Sequence, residues 1–168
     1  VSLVAEEHVV QGIYWAVDHG AKIINISLGG LGLSTDFTEA FDDAMKYAYE
    51  HEVLVVVAAG NGDFFTQQGV ASHGVNLDIN KSSPICNKGP ARRWNIGVSA
   101  VDFEGQRPSW ANYGASCVDV YAPGTEIIAL APPAWNYVRQ WDGTSFSAPI
   151  VSGIAAMVWN VNPELSVD

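Results

Sequence analysis

The sequence predicts an α/β protein of three layers, a mostly parallel sheet with helices on both faces, and three observations predict it. Two short runs, IINIS at 23–27 and VLVVVAA at 53–59, are almost continuously apolar and β-branched, as strands covered on both faces are. A stretch with apolar residues at helical spacing precedes each run. Each run ends in a glycine-bounded turn, SLGG or AAGNG, so strands and helices alternate as they do around a parallel sheet.

Taken in order, Val9, Ile13, Ala16 and Val17, with Val10 and Tyr14 beside them, fall on one face of a helix from Glu6 to Asp18, and Gly20 supplies its stop. Ile23, Ile24 and Ile26 form the first strand. Ser34, Thr35 and Asp36 are cap residues for a second helix, with Glu39 placed for a capping box and Phe37, Phe41, Ala44, Met45 and Ala48 along its inner face. Val53 to Val57 form the second strand. From about Asp63 to Arg93 the periodicity is lost to Gly, Ser, Asn and Pro, a connection long enough to be a binding loop or an insertion. Short strands are expected at 96–101, 118–122, 127–130 and 137–141, and a helix from Ser145.

Composition narrows the function. Eighteen acidic residues face eight basic ones, for a net charge of −10, and the basic residues are scattered apart from Arg92 and Arg93. A surface that tracks phosphates is therefore not expected, nor a nucleic-acid partner. No segment approaches the roughly 20 uninterrupted apolar residues of a membrane span, and VSLVAEEHVV lacks the basic-then-apolar pattern of a signal peptide. No membrane partner is expected. Cys86 and Cys117 can form one disulfide, remain two buried thiols, or lie too far apart to bridge. No cysteine and histidine spacing suggests zinc. The 168 residues suit one domain, but the start at Val1 and the closing NPELSVD, which opens like a capped helix, lead to the expectation of a partial domain over 1–168, cut at both ends.

The chemistry is concentrated in WDGTSFSAPIVSG, residues 141–153. Ser145 stands between a strand and a helix, where the helix N-terminus favours a developing negative charge. Gly143 permits a tight turn, and Pro149 is tolerable near a first turn. The plainer reading is that Thr144 or Ser145 is an N-cap. Context decides between them: INISLGG, VVVAAGN and GTSFSAP in this order, with VVQGIYWAVDHGAKIINISLGG and NYGASCVDVYAPGTEI, resemble the subtilisin-like serine proteases. The resemblance runs from about Glu6 to the C-terminus and is weakest between Asp63 and Lys88.

That resemblance implies a serine endopeptidase with Ser145 as nucleophile, forming an acyl-enzyme on a polypeptide substrate. It implies Asn61 as the side-chain donor of an oxyanion hole; read alone, Asn61-Gly62 is a turn dipeptide. It implies that Ser27, Leu28 and Gly29 pair with the substrate backbone, where the plain reading is a strand-ending turn, and that Gly29 leaves the approach open. Ala59 and Gly60 match one wall of the pocket for the residue before the cleaved bond, small enough to admit a bulky apolar or aromatic group. Pro90 resembles a cis proline that shapes that pocket, while base rates favour trans. No cofactor is identifiable; calcium is implied by family habit only, and no Asp-rich loop here has ligand spacing. Secretion is likewise the family's habit, pointing outside the cell.

One part is missing. In this family the triad runs aspartate, histidine, serine, and the first two precede the strand equivalent to IINIS. Before Lys22 the chain offers only Asp18, His8 and His19, none in the expected setting, and His51 and His73 fall after that strand. The chain alone is therefore expected to be almost inactive and marginally folded, and to need the N-terminal part of the same domain. The alternative is a subtilase-like pseudoenzyme or peptide-binding module that keeps the cleft without catalysis. A different α/β hydrolase is disfavoured: it would carry a G-x-S-x-G motif and a later histidine, whereas the serine here lies in GTSFS and no histidine follows it.

Overall fold

The computed structural model describes residues 6–31, 35–62, 73–135 and 137–168. Its elements are α1 (Glu6–Asp18), β1 (Ile23–Ile26), β2 (Gly30–Leu31), α2 (Thr35–Glu50), β3 (Leu54–Ala58), β4 (Ser82–Ser83), β5 (Ile96–Val101), β6 (Val120–Pro123), β7 (Ile127–Leu130), β8 (Val138–Trp141) and α3 (Thr144–Val161). Strands β1, β3, β5 and β6 pair in that order, each in parallel with its neighbour. Two small antiparallel pairs, β2 with β4 and β7 with β8, stand apart from this sheet.

The apolar run of β3 is continuous because both its faces are covered. Val55 and Val57 point to the side where Ile13 and Val17 of α1 meet Phe41, Ala44, Met45 and Ala48 of α2. Val56 and Ala58 point the other way, into a cluster with Val98, Ala122 and Ala148 of α3. The alternation is the period of two that a pleated strand imposes. Phe41 is fully enclosed, a burial worth on the order of 2–3 kcal/mol.

The expected elements are present, with small shifts that have local causes. The second strand starts at Leu54 because the Val53 N–H closes the end of α2 on Ala48 O at 2.9 Å. The strand expected from 118 starts at Val120 because the N–H groups of Cys117 and Val118 turn back to Gly114 O. The Ser34 cap lies outside the described residues. Of the long connection, 63–72 also lies outside them, but 73–93 is packed in: Leu77 and Ile85 are buried in the α1/α2 core. Its lack of periodicity reflects irregular backbone around two buried anchors.

Two expectations about this region are resolved. Cys86 and Cys117 are joined by a disulfide that ties the segment after β4 to the turn before β6. Closing a loop of 31 residues stabilises the fold by roughly 3–4 kcal/mol in the chain-entropy account. The cis proline is not Pro90. Among the described residues the cis bond is Ser83–Pro84, while Gly89, at φ 60°, makes the turn that lets a trans Pro90 open a 3-10 turn, where its missing N–H costs nothing.

Helix α3 lies on the sheet through its first turns, where Thr144, Ser147 and Ala148 are buried. Farther along, Ile154, Met157, Val158 and Val161 are exposed. By length and composition alone α3 is long and apolar enough to cross a membrane, a property the count of uninterrupted apolar residues had not revealed. Lys88 is buried and forms an ion pair with Asp119, which also accepts the Gly97 N–H at 2.7 Å.

Asp78 fastens the 73–93 segment to the turn before β6. Its carboxylate accepts the N–H groups of Ser116 at 2.7 Å and Ala115 at 3.1 Å. Hydrogen bonding from the Ser116 hydroxyl, then from its N–H, holds the Asp78 pKa below the usual carboxylate value. A depressed folded pKa contributes stability that is present above the unfolded value, near pH 4, and is lost as pH falls through the folded value. The full-length protein is therefore expected to lose thermal stability on acidification more steeply than its Asp78→Asn variant below about pH 4. Parallel melting curves of the two from about pH 6 to about pH 2.5 check this, and identical acid limbs would refute it.

Candidate active site

Three segments meet at the carboxyl ends of β1 and β3, the edge where parallel sheets of this class hold ligands. The first is 27–31, leaving β1; the second is 59–62, leaving β3; the third is the start of α3. Thr144 joins the last two. Its backbone N–H donates to Asn61 Oδ1 at 2.9 Å, its hydroxyl donates to the same oxygen at 3.0 Å, and Oγ1 accepts the Gly60 N–H at 2.9 Å. A backbone N–H can only donate, so the side-chain atom facing it must be the carbonyl oxygen of Asn61. The orientation of the carboxamide is thereby fixed, with Nδ2 on the side of Gly143, where an added Cβ would lie 3.3 Å away.

Ser145 follows, half-buried, as the second residue of α3. Pro149 lies inside the helix rather than near its first turn and has no N–H to offer Ser145 O, four residues back. The Ser27 hydroxyl supplies the missing donor at 3.0 Å, and Ser145 Oγ donates in turn to Ser27 O at 3.3 Å. Asn25 steadies Ser27 through Nδ2 at 2.9 Å and takes the Ser152 hydroxyl on Oδ1. A helix defect is thus used to stitch the edge segment to Ser145.

Leu28 and Gly29 are exposed along that edge. Behind them β4 pairs with β2, and a Cβ on Gly29 would come within 2.9 Å of Ser83 O. The glycine is required by this close approach from behind, a reason additional to the open front that the sequence suggested. Ala59 is buried and Gly60 half-buried where the chain leaves β3. On the other side Trp141 stacks on Phe146, the residue after Ser145, with ring centres 6.0 Å apart.

Among the described residues no imidazole is hydrogen-bonded to Ser145. His19 and His51, just past the ends of α1 and α2, turn back onto Trp15 O and Tyr47 O, and His73 is exposed.

The subtilase family model matches residues 3–168. The chain belongs to the subtilase family. It is 33% identical to subtilisin DY of Bacillus licheniformis over 94% of this chain and 50% of that protein, and 34% identical to fervidolysin of Fervidobacterium pennivorans over 92% of this chain and 22% of that one. Among solved structures, the prenylagaramide maturation protease PagA superposes with a TM-score of 0.75 at 27% identity, over 98% of this chain and 52% of that one. A cold-adapted subtilisin-like serine proteinase matches with the same score at 25% identity and the same coverage. The chain spans about half the length of subtilisin DY and less of fervidolysin.

Three of the described carboxylates are engaged by donors of the protein itself. Asp102 accepts the N–H groups of Glu104 and Gln106, Asp78 those of Ala115 and Ser116, and Asp119 that of Gly97 together with Lys88. Among the described residues no three His, Cys, Asp or Glu side chains gather where an ion could be held.

Sequence reasoning named the subtilase corner but missed three residues that hold it: Thr144, Pro149 in its effect on Ser27, and Asn112, whose side chain bonds the Gly62 N–H and Ala59 O. A proline four residues after the serine was a readable signal that an outside donor was needed. Asn112 opens the NYGASCVDVYAPG stretch that carried part of the resemblance, yet nothing local to it pointed to 59–62.

Proposed function

We propose that the full-length protein is a serine endopeptidase whose nucleophile is Ser145 and whose oxyanion donors are Asn61 Nδ2 and the Ser145 N–H. The observation that carries this reading is the Thr144 clamp, which fixes the direction of the Asn61 carboxamide and holds it to the turn that bears Ser145. In this reading the substrate lies as an added strand along Ser27, Leu28 and Gly29, and the side chain before the cleaved bond enters the recess at Ala59 and Gly60, which suits a bulky apolar group. Ser145 Oγ attacks the peptide carbon as its proton passes to a histidine, the carbonyl oxygen becomes an oxyanion held by the two donors, and the C–N bond breaks as the amine takes that proton. Water then releases the acyl group by the same steps in reverse.

The histidine and its aspartate come, in this proposal, from a segment upstream of Lys22, which family order requires. The uncovered apolar residues of α3, Ile154, Met157, Val158 and Val161, offer that segment a surface to pack on. The Cys86–Cys117 disulfide fits work in an oxidising, extracellular setting.

A biotinylated fluorophosphonate, which reacts only with an activated serine, tests the reading. The full-length protein is expected to be labelled at Ser145, and the 168-residue chain alone to label at a rate indistinguishable from its Ser145→Ala variant. A full-length protein that resists the probe while still retaining peptides in its cleft would make the non-catalytic binding module the right description.

A further inference from the structure

The arch that carries Asn61 is unusual backbone. Gly60 at φ 93° and Gly62 at φ 78° place both neighbours of Asn61 in the left-handed region, so the chain leaves the β3 ladder and its peptide groups need other partners. One residue far away in sequence provides most of them. Asn112, in the turn between β5 and β6, is 3% exposed. Its backbone N–H donates to Gly60 O at 3.0 Å, its Oδ1 accepts the N–H groups of Gly62 at 2.9 Å and Val75 at 2.8 Å, and its Nδ2 donates to Ala59 O at 2.8 Å. Its own carbonyl is fixed by the Ser99 hydroxyl of β5 at 2.6 Å. The fit against Gly60 is close: a Cβ there would lie 2.7 Å from Asn112 Nδ2.

These contacts bracket Asn61 at 59, 60 and 62 without touching its side chain. Thr144 orients the carboxamide from the front, and Asn112 holds the backbone that carries it from behind. Only a carboxamide can do this, since the position calls for two acceptances at one atom and a donation at the other. A carboxylate would keep the first two bonds and set an oxygen against Ala59 O. A hydroxyl is too short to span both sides of the arch.

We infer that Asn112 is a positioning residue for the proposed hydrolysis, presetting the Asn61 donor before substrate arrives. This rests on the protease reading given above. Donors preset in this way favour the transition state over the ground state, so loss of the brace should lower kcat more than it changes KM.

The test is a double-mutant cycle in the full-length protein, scored per molecule titrated as folded. Asn112→Asp is expected to lower kcat by about tenfold or more with KM changed less than about threefold. In the Asn61→Ala background the same substitution is expected to change kcat by less than about twofold, because the donor it positions is gone. Asn112→Ser repeats the cycle should the aspartate variant fold poorly. Equal losses of kcat in the two backgrounds, or a lower melting temperature with kcat intact, would overturn the inference while leaving the protease reading in place. An active enzyme in which Asn61→Ala costs nothing, or a wild type that hydrolyses no peptide, would overturn the reading itself and this inference with it.

Discussion

Replacing Ser145 with alanine in the full-length protein is expected to lower kcat for peptide hydrolysis by about a millionfold, a size of loss known from the nucleophile of subtilisin itself, with KM nearly unchanged. The asymmetry follows from the geometry. Substrate binding in the proposed site is the work of the backbone at 27–29 and the recess at Ala59 and Gly60, none of which uses the Ser145 hydroxyl. In the structure that hydroxyl donates only weakly, to Ser27 O at 3.3 Å, so its removal disturbs little of the frame. The stitch that holds α3 to the edge is the reverse bond, from Ser27 Oγ to the Ser145 carbonyl, and alanine keeps that carbonyl. Steady-state kinetics on an oligopeptide with an aromatic residue before the cleaved bond, with binding to the inactive variant measured separately, check both halves. A loss of only a few fold would mean that Ser145 is not the nucleophile, whatever the family of the chain.

Much of this arrangement was legible in the sequence, and the parts that were not share a physical cause. The helices and central strands are set by periodic patterns within single segments: Ile13 and Val17 on one helix, Phe41, Ala44, Met45 and Ala48 on another, the alternating valines of β3. The corner containing Ser145 and Asn61 was legible because its two turns resemble those of a known family. What escaped were relations between segments. The Asn112 brace spans 50 residues to Gly62, and the Ser27 donor spans 118 to Ser145. Pro149 signals that a donor is needed, but no local pattern marks Ser27 or Asn112 as the partner, because a lone asparagine or serine in a turn satisfies local rules equally well. Pro90 and Pro84 illustrate the same limit. One follows Ser83 and the other Gly89, and neither neighbourhood marks which bond is cis.

Asn61→Ala in the full-length protein is expected to lower kcat by about a hundred- to a thousandfold with little change in KM, the range established for this donor in subtilisin. Alanine removes a preset N–H from the place where charge develops, and water admitted there must reorient to replace it. The Asn61→Asp variant should be worse than alanine. Thr144 offers two donors to whatever atom faces it, so one oxygen of the introduced carboxylate would take the place of Oδ1 and the other would occupy the position of Nδ2. That second oxygen would stand as a negative charge beside the forming oxyanion. The order wild type, then alanine, then aspartate separates a catalytic donor from a turn residue, since Asn-Gly turns accept aspartate readily. Thr144→Val completes the argument: it keeps the backbone donor to Oδ1 and deletes both hydroxyl bonds, so about tenfold in kcat is expected, through a side chain that never meets the substrate. Aspartate matching asparagine in kcat would make Asn61 a turn residue and leave the Ser145 N–H as the only donor this chain contributes.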